Sequence, residues 1–267
     1  KAVINSVVNA KISVDDIYLY DVIPEQFLRH YLEIKNEICS HVFENIDKPK
    51  NYSFLSKTYE TIQEISIQNI KIDWELLKLL SSKDLKASHL LKRIQGAKTF
   101  VNYDMFGTKT GRLSIKEGSF PILNLKTEHK SILEPQNDWY VELDYNGAEV
   151  RTLLSLSDIE QPHEDIHEWN IKNVYQKDMT REQAKKRFFA WLYNPNSEDQ
   201  SVERYYDRKK VLEKYYFDNL VQTPFGRDIE CDDFHSLNYL LQSSSSDNCI
   251  TQANMIHRFL RDKKSNL

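Results

Sequence analysis

An apolar run that ends in a carboxylate and leads directly into a helical pattern is the feature that most constrains this fold. Residues 139–143 read Trp-Tyr-Val-Glu-Leu, Asp144 follows them, and Glu149 stands where a helix begins. A carboxylate at the tip of a strand is a natural ligand for a hard cation such as Mg²⁺. An Asp that only caps the helix would give the same pattern. The segment therefore predicts a strand-to-helix unit, with a metal site and a helix cap as alternatives.

A second pattern lies on one predicted helix, which opens with a capping box formed by Thr180 and Gln183. Four side chains follow at four-residue spacing, two of them cationic and two aromatic: Arg181, Lys185, Phe189 and Tyr193. This spacing makes one stripe about 18 Å long on a helix. Such a stripe suits a ligand with phosphates at one end and a base or sugar at the other. A surface helix with solvated cations and an aromatic end in the core is the alternative.

Composition allows a large folded domain and argues against several classes of protein. The 267 residues are 40% hydrophobic, enough for a sizeable core. No apolar stretch approaches the roughly 20 residues of a membrane span. The three cysteines include no CxxC pair, which favours a reducing compartment over a disulfide framework or a zinc site. The net charge of −4 argues against an all-round basic surface but permits a basic groove on an acidic body.

Periodicity along the chain predicts a mostly helical α+β protein with one small sheet. Strand-like runs occur at 70–73 and 139–143, and a hairpin is predicted at 222–227. Helical spacing occupies most of the remainder, in five stretches: 21–46, 54–70, 74–91, 147–217 (broken near 194–197) and 235–263.

Several segments, taken in order, resemble the polymerase domain of family A DNA polymerases, the group of bacterial DNA polymerase I and many phage replicases. Residues 144–151, Asp-Tyr-Asn-Gly-Ala-Glu-Val-Arg, look like motif A, and the stripe from Arg181 to Tyr193 matches motif B. Further matches are the Thr-Gly-Arg-Leu-Ser loop at 110–114, the segment 120–124, the element 70–73, and Phe225-Gly226-Arg227 followed by Asn238 and Gln242. The compact pattern is similar to that of phage-type members.

The resemblance implies a right-hand architecture of thumb, palm and fingers with a small antiparallel palm sheet. It divides the chain as follows: 1–50, a possible remnant of an exonuclease-like domain; 51–107, thumb; 108–155, first part of the palm; 156–232, fingers; 233–267, return to the palm. The segment 1–50 contains no set of acidic metal ligands, so no proofreading activity is predicted from it.

The resemblance also implies roles for individual residues in a DNA-directed DNA polymerase. Asp144 and the Tyr145 carbonyl would hold two Mg²⁺ ions, and Lys185 would stabilise or protonate the leaving pyrophosphate. The residues implied to bind the incoming nucleotide are Tyr145, Glu149, His167, Arg181, Lys185, Phe189 and Tyr193. Glu149 among them would reject ribonucleotides. The residues implied to contact primer–template DNA are Arg112, Asn124, Asn238 and Gln242.

Two of the departures from the family pattern bear on metal binding and on the movement of the fingers. Motif C, a His-Asp pair that supplies the second metal-binding carboxylate, is expected after Leu267, and a protein ending there is expected to be nearly inactive. Asn194 replaces the Gly that follows the motif B tyrosine, and Asn tolerates the left-handed backbone that such a hinge uses.

The partners implied are primer–template DNA and dNTPs, with processivity, helicase or primase proteins as further possibilities and no membrane. The expected location is the cytoplasm of a bacterium or a phage-infected cell. A basic track for DNA phosphates is predicted, with solvated helix faces as the alternative. Its candidates are Arg204, Arg208, Lys209, Lys210, Lys214, Arg258, Arg261, Lys263 and Lys264.

Two other functions remain open at this stage. A single-subunit RNA polymerase relative would share the fold, but Glu149 argues against it because such enzymes admit the 2′-hydroxyl. The other is a non-catalytic DNA-binding module, which would have the right-hand fold without polymerase activity.

Overall fold

The computed structural model describes residues 2–11, 23–95 and 99–265, and the chain divides into a unit of residues 1–50 and a unit of residues 51–267. The described part of the first unit contains α1 (Ala2–Asn9) and α2 (Glu25–Asn45). No residue of α2 is buried, and large apolar side chains such as Phe27 and Ile38 are exposed along it. No helix in the described ranges is both long and apolar enough to cross a membrane.

The second unit carries the remaining helices and all the strands of the described chain. Its helices are α3 (Tyr52–Ser66), α4 (Trp74–Ser81), α5 (Leu85–Ile94), α6 (Ala148–Leu156), α7 (Ile166–Asn170), α8 (Arg181–Tyr193), α9 (Gln200–Tyr206), α10 (Arg208–Tyr215) and α11 (Asp233–Asp262). A π-helical turn (Ile171–Tyr175) continues α7, and short 3₁₀ turns occupy Ile122–Asn124 and Thr127–Ile132.

Three small antiparallel sheets join these helices. β1 (Lys71–Ile72) pairs with β4 (Leu133–Glu134), and β2 (Tyr103–Asp104) pairs with β3 (Ser114–Ile115). β5 (Tyr216–Phe217), β6 (Leu220–Gln222) and β7 (Asp228–Glu230) form a meander in that order. The predicted α+β class is confirmed, and so are the hairpin at 222–227 and the long C-terminal helix. The described strands form three small sheets and not the single one that periodicity predicts.

Two apolar cores hold the second unit together. The larger core packs α6 to α11 around side chains such as Phe188, Trp191 and Leu240, which are almost fully buried. The smaller core packs β1, α4 and α5 around Leu77 and Ile132. The larger core therefore fixes the relative positions of the helices that carry the motif residues.

Two predicted elements are corrected by the structure. The helix expected over 74–91 is broken, because the Asp84 carboxylate accepts hydrogen bonds from the Lys86 and Ala87 amides and starts a new helix there. Residues 139–143 were expected to form a strand, but no other described strand lies beside them to complete a ladder. Their four large apolar side chains are 59% to 79% exposed: Trp139, Tyr140, Val141 and Leu143.

Candidate active site

Glu149, in the first turn of α6, is the centre of a cluster drawn from four parts of the chain. Its Oε1 accepts a hydrogen bond from Arg112 Nη2 at 2.9 Å, and its Oε2 accepts one from the Tyr193 hydroxyl at 2.6 Å. The Gln242 side chain on α11 lies beside the same hydroxyl and acts to lower its pKa. Burial first, and then the Glu149 carboxylate, raise the pKa of Tyr193 above its usual range. The structure therefore joins Arg112, Glu149, Tyr193 and Gln242, which the sequence had singled out separately.

The aromatic end of the α8 stripe lies beside this cluster. The rings of Phe189 and Tyr193 are stacked, with centroids 5.6 Å apart and planes 12° from parallel. The centroid of the His167 ring lies 6.1 Å from that of Phe189, with the two planes tilted by 55°. This arrangement offers a flat apolar face bordered by polar groups, which suits a base or sugar.

The cationic end of the stripe is arranged around Asp165. Arg181 Nη2 donates to Asp165 Oδ2 at 2.8 Å, and the Arg181 guanidinium holds the pKa of Asp165 well below its usual range. Lys185 is exposed and forms no ion pair with another described residue. Burial lowers the pKa of His167, and the charges of Arg181 and Lys185 lower it further. Asp165 thus brings His167 and Arg181 together, and Lys185 follows Arg181 by about one turn of α8.

His167 is buried, and its Nδ1 has no hydrogen-bond partner in the described structure. The folded state favours the neutral ring, because its His167 pKa is lower than that of the unfolded chain, about 6.5. The stability that this difference contributes is fully present above about pH 6.5 and is lost as pH falls through the lowered pKa of the folded state. We expect His167→Gln to reduce the loss of unfolding free energy below about pH 6.5. Urea unfolding at stepped pH measures this, with His89→Gln, at an exposed position, as the control. Parallel curves for wild type and His167→Gln would contradict it.

Asp144 and Tyr145 lie on the exposed segment that leads into α6. Partial burial and the Asp144 carboxylate raise the pKa of the Cys249 thiol, which places Asp144 near α11. Glu149 bonds Arg112 and Tyr193, and Asp247 bonds Arg227. The Asp144 carboxylate and the Tyr145 carbonyl are oxygen groups of the kind that hard cations prefer, and their role as metal ligands stays a prediction.

A different carboxylate group within the described chain has the composition of a metal site. Asp84, Glu128 and His129 bring one ligand atom each to within 4.8 Å of one another. Asp84 already caps α5 and accepts from His129 Nε2 at 3.0 Å, so these contacts have a structural explanation. This group contains neither Asp144 nor Tyr145.

Two further residues predicted to contact DNA, Asn124 and Asn238, lie outside the cluster around Glu149. Asn124 is exposed in a 3₁₀ turn, and its amide meets the Arg93 guanidinium. Asn238 is half-buried one turn before Gln242 on α11, and its Oδ1 lacks a partner in the described chain. Within the described chain, no hydrogen bond joins either residue to Glu149.

A buried ion pair behind the cluster was not anticipated from the sequence. Arg227 donates to both carboxylate oxygens of Asp247, at 3.1 and 2.8 Å, and the Asp247 side chain is fully buried. Gly111 has φ +74°, and a Cβ there would lie 2.4 Å from the Arg227 guanidinium carbon. Arg227 therefore packs directly on the backbone that precedes Arg112. A lone Asp in the Ser-rich part of α11 is the only sequence signal for this pair.

Two further expectations are corrected. Arg208 was a candidate for DNA phosphates, but its side chain is 11% exposed, pairs with Glu203 and donates to the carbonyls of Trp191, Asn194 and Ser197. It therefore fastens the end of α8. Asn194 adopts an extended backbone with φ −116°, so its tolerance of left-handed angles is not used.

No family model and no curated protein matches the chain. Among solved structures, the chain is similar to the POL domain of Pol1 from M. smegmatis, which was solved with DNA primer-template and dNTP. The TM-score is 0.52 and the identity 16%, over 80% of this chain and 56% of that one. The chain thus spans a little over half the length of that structure. At this identity the likeness shows the fold, which is an α+β polymerase-domain fold.

Proposed function

We propose that this chain is a DNA polymerase domain of the family A type, which adds dNTPs to a primer 3′-OH under the direction of a template. The observation that carries the proposal is the convergence of Arg112, Glu149, Tyr193 and Gln242 from four distant segments. Such a cluster beside a stacked aromatic pair and a cationic group is an arrangement suited to a nucleoside triphosphate on a base-paired template.

Each part of the site has a task in this proposal. His167, Arg181 and Lys185 bind the triphosphate, and Lys185 also stabilises or protonates the leaving pyrophosphate. Phe189 and Tyr193 pack on the nucleotide and near the templating base, and Glu149 occupies the space beside the sugar 2′ position. Primer–template contacts are assigned to four residues: Arg112, Asn124, Asn238 and Gln242. Minor-groove acceptors are alike for all correct pairs, so contacts there test pair shape and not sequence.

The proposed cofactor is a pair of Mg²⁺ ions, with Asp144 and the Tyr145 carbonyl as the ligands that this chain offers. Bound ions would lower the pKa of the primer hydroxyl and neutralise the triphosphate. Two ions require a further carboxylate, which the family resemblance places in motif C.

A non-catalytic primer–template-binding module is the second candidate. Segment 139–143, which pairs with no other described strand, favours it. An RNA polymerase relative is disfavoured by Glu149, which a ribonucleotide's 2′-hydroxyl would have to displace from Arg112 or Tyr193.

Primer–template binding with and without nucleotide tests the shared part of these proposals. A dideoxy-terminated, fluorescent primer–template is titrated with the protein at stepped salt, and the next dNTP or rNTP is then added with Mg²⁺. We expect salt-sensitive DNA binding and retention of the complex only by the dNTP that matches the template. Retention by rNTP and dNTP alike would favour the RNA polymerase relative. DNA binding without any response to nucleotide would favour the non-catalytic module.

A further inference from the structure

The loop before α7 is fastened to the turn after Tyr145. Arg151 donates to the carbonyl of Asn146 at 2.8 Å and to the carbonyls of Pro162 and Glu164 at 2.9 and 3.0 Å. The turn residue Gly147 has φ +64°, and a Cβ there would lie 2.6 Å from Ile166 Cγ2. The turn and the start of α7 are therefore in close contact.

Asp165 stands at this junction and uses both carboxylate oxygens. Oδ1 caps α7, accepting from the amides of His167 and Glu168 at 2.9 and 3.1 Å. Oδ2 accepts from Asn146 Nδ2 at 2.6 Å and from Arg181 Nη2 at 2.8 Å. One carboxylate thus connects the turn after Tyr145, the helix that carries His167, and the first residue of α8.

We propose that Asp165 is a positioning residue, which holds His167 and Arg181 in register so that both meet the polyphosphate end of one ligand. This inference rests on the proposed function. Arg181 remains 40% exposed, and its Nη1 also lies 3.5 Å from the exposed Glu182 carboxylate. Its guanidinium has five N–H donors, so these contacts leave donors for phosphate oxygens. Asp165 therefore orients the guanidinium without occupying all of it.

The chain contains a close structural match to Asp165 that lies away from the candidate ligand. Asp199 caps α9, accepting from the Val202 amide at 3.4 Å, and pairs with Arg187, which is also on α8, at 2.9 Å. The Arg187 guanidinium stacks on the Tyr175 ring, 4.4 Å from its centroid, and not on Phe189. Asp199→Asn consequently removes the same kind of cap and ion pair without touching His167 or Arg181.

The test compares Asp165→Asn with Asp199→Asn in the full chain. Asn retains the size and capping ability of Asp but removes the charge. We expect Asp165→Asn to raise the Kd for the matched dNTP, in the complex with primer–template and Mg²⁺, about tenfold. Asp199→Asn should change it less than about twofold. In the Arg181→Gln background, Asp165→Asn should add little, because the two substitutions remove one interaction. Equal effects of both Asn variants, or full additivity with Arg181→Gln, would overturn the inference.

Titration with inorganic tripolyphosphate, followed through the His167 NMR signals, separates failure of this inference from failure of the proposed function. A wild-type response that Asp165→Asn weakens and Asp199→Asn retains supports the inference even if no dNTP binds. No response of wild-type His167 to tripolyphosphate overturns it, even if primer–template binding is intact.

Discussion

Replacing Arg227 with Met should destabilise the protein by about 3–5 kcal/mol, the cost of leaving a buried charge without its partner. The carboxylate concerned is that of Asp247, which is fully buried and bonds Arg227 through both oxygens. Burial already raises the pKa of Asp247, although Arg227 opposes the shift. Without Arg227 the carboxylate would be protonated more readily. Urea unfolding at pH 7.5 and pH 5 should therefore show a smaller destabilisation at the lower pH.

Two further variants isolate the cause of this effect. Arg204→Met removes an exposed arginine and should change the unfolding free energy by no more than about 0.5 kcal/mol. The double variant Arg227→Met with Asp247→Leu should be more stable than Arg227→Met alone, because no unpaired charge remains. Equal unfolding free energies for Arg227→Met and Arg204→Met would contradict the prediction, because they would show that the Arg227–Asp247 ion pair does not stabilise the fold.

Replacing Glu149 with Ala should weaken discrimination against ribonucleotides by about 100-fold, within the range that pocket contacts supply. The Glu149 side chain is 13% exposed and is held by Arg112 and Tyr193, so it forms a fixed wall and not a mobile surface group. Its removal opens space beside the proposed sugar position and frees the Tyr193 hydroxyl. The ratio of kcat/KM for a matched dNTP to that for its rNTP measures the effect.

Matched variants separate bulk from charge in this prediction. Glu149→Gln retains the volume and should preserve most of the discrimination, whereas Tyr193→Phe removes one anchor of the wall and should weaken it less than Glu149→Ala. Glu142→Gln alters an exposed glutamate on the preceding segment and should leave the ratio unchanged. An unchanged ratio in Glu149→Ala would show that this side chain does not limit access to the 2′ position.

Local sequence was sufficient for features decided by neighbouring residues. The capping box of Thr180 and Gln183 forms as predicted, with bonds of 3.2 and 2.9 Å, because all its atoms lie within one helical turn. The hairpin between β6 and β7 forms as predicted because its two strands are joined by a short turn and pair with each other. Convergence on Glu149 was not predicted: the resemblance singled out Arg112, Tyr193 and Gln242 separately, and spacing alone does not indicate that they meet.

Features that depend on tertiary packing were missed or misjudged. Asp165 is an ordinary helix cap by sequence, and its bond to Arg181 requires α7 and α8 to be packed together. The strand expected at 139–143 shows the reverse: its apolar run favours an extended backbone, but a strand also requires a neighbour to receive its hydrogen bonds. By sequence, Arg208 is one of several candidate surface cations. Its bonds to carbonyls at the end of α8 depend on tertiary packing, which the sequence does not indicate.

Primer extension by the full-length gene product, beside its Asp144→Ala variant, tests the central claim most directly. The assay contains Mg²⁺, a primer–template and all four dNTPs, and Asp138→Ala, at another exposed position of the same segment, is the control. We expect template-directed extension by wild type and Asp138→Ala, and loss of at least about 1,000-fold in Asp144→Ala. No extension by the wild type, with salt-sensitive primer–template binding intact, would contradict the proposed activity and leave a binding module with the polymerase fold.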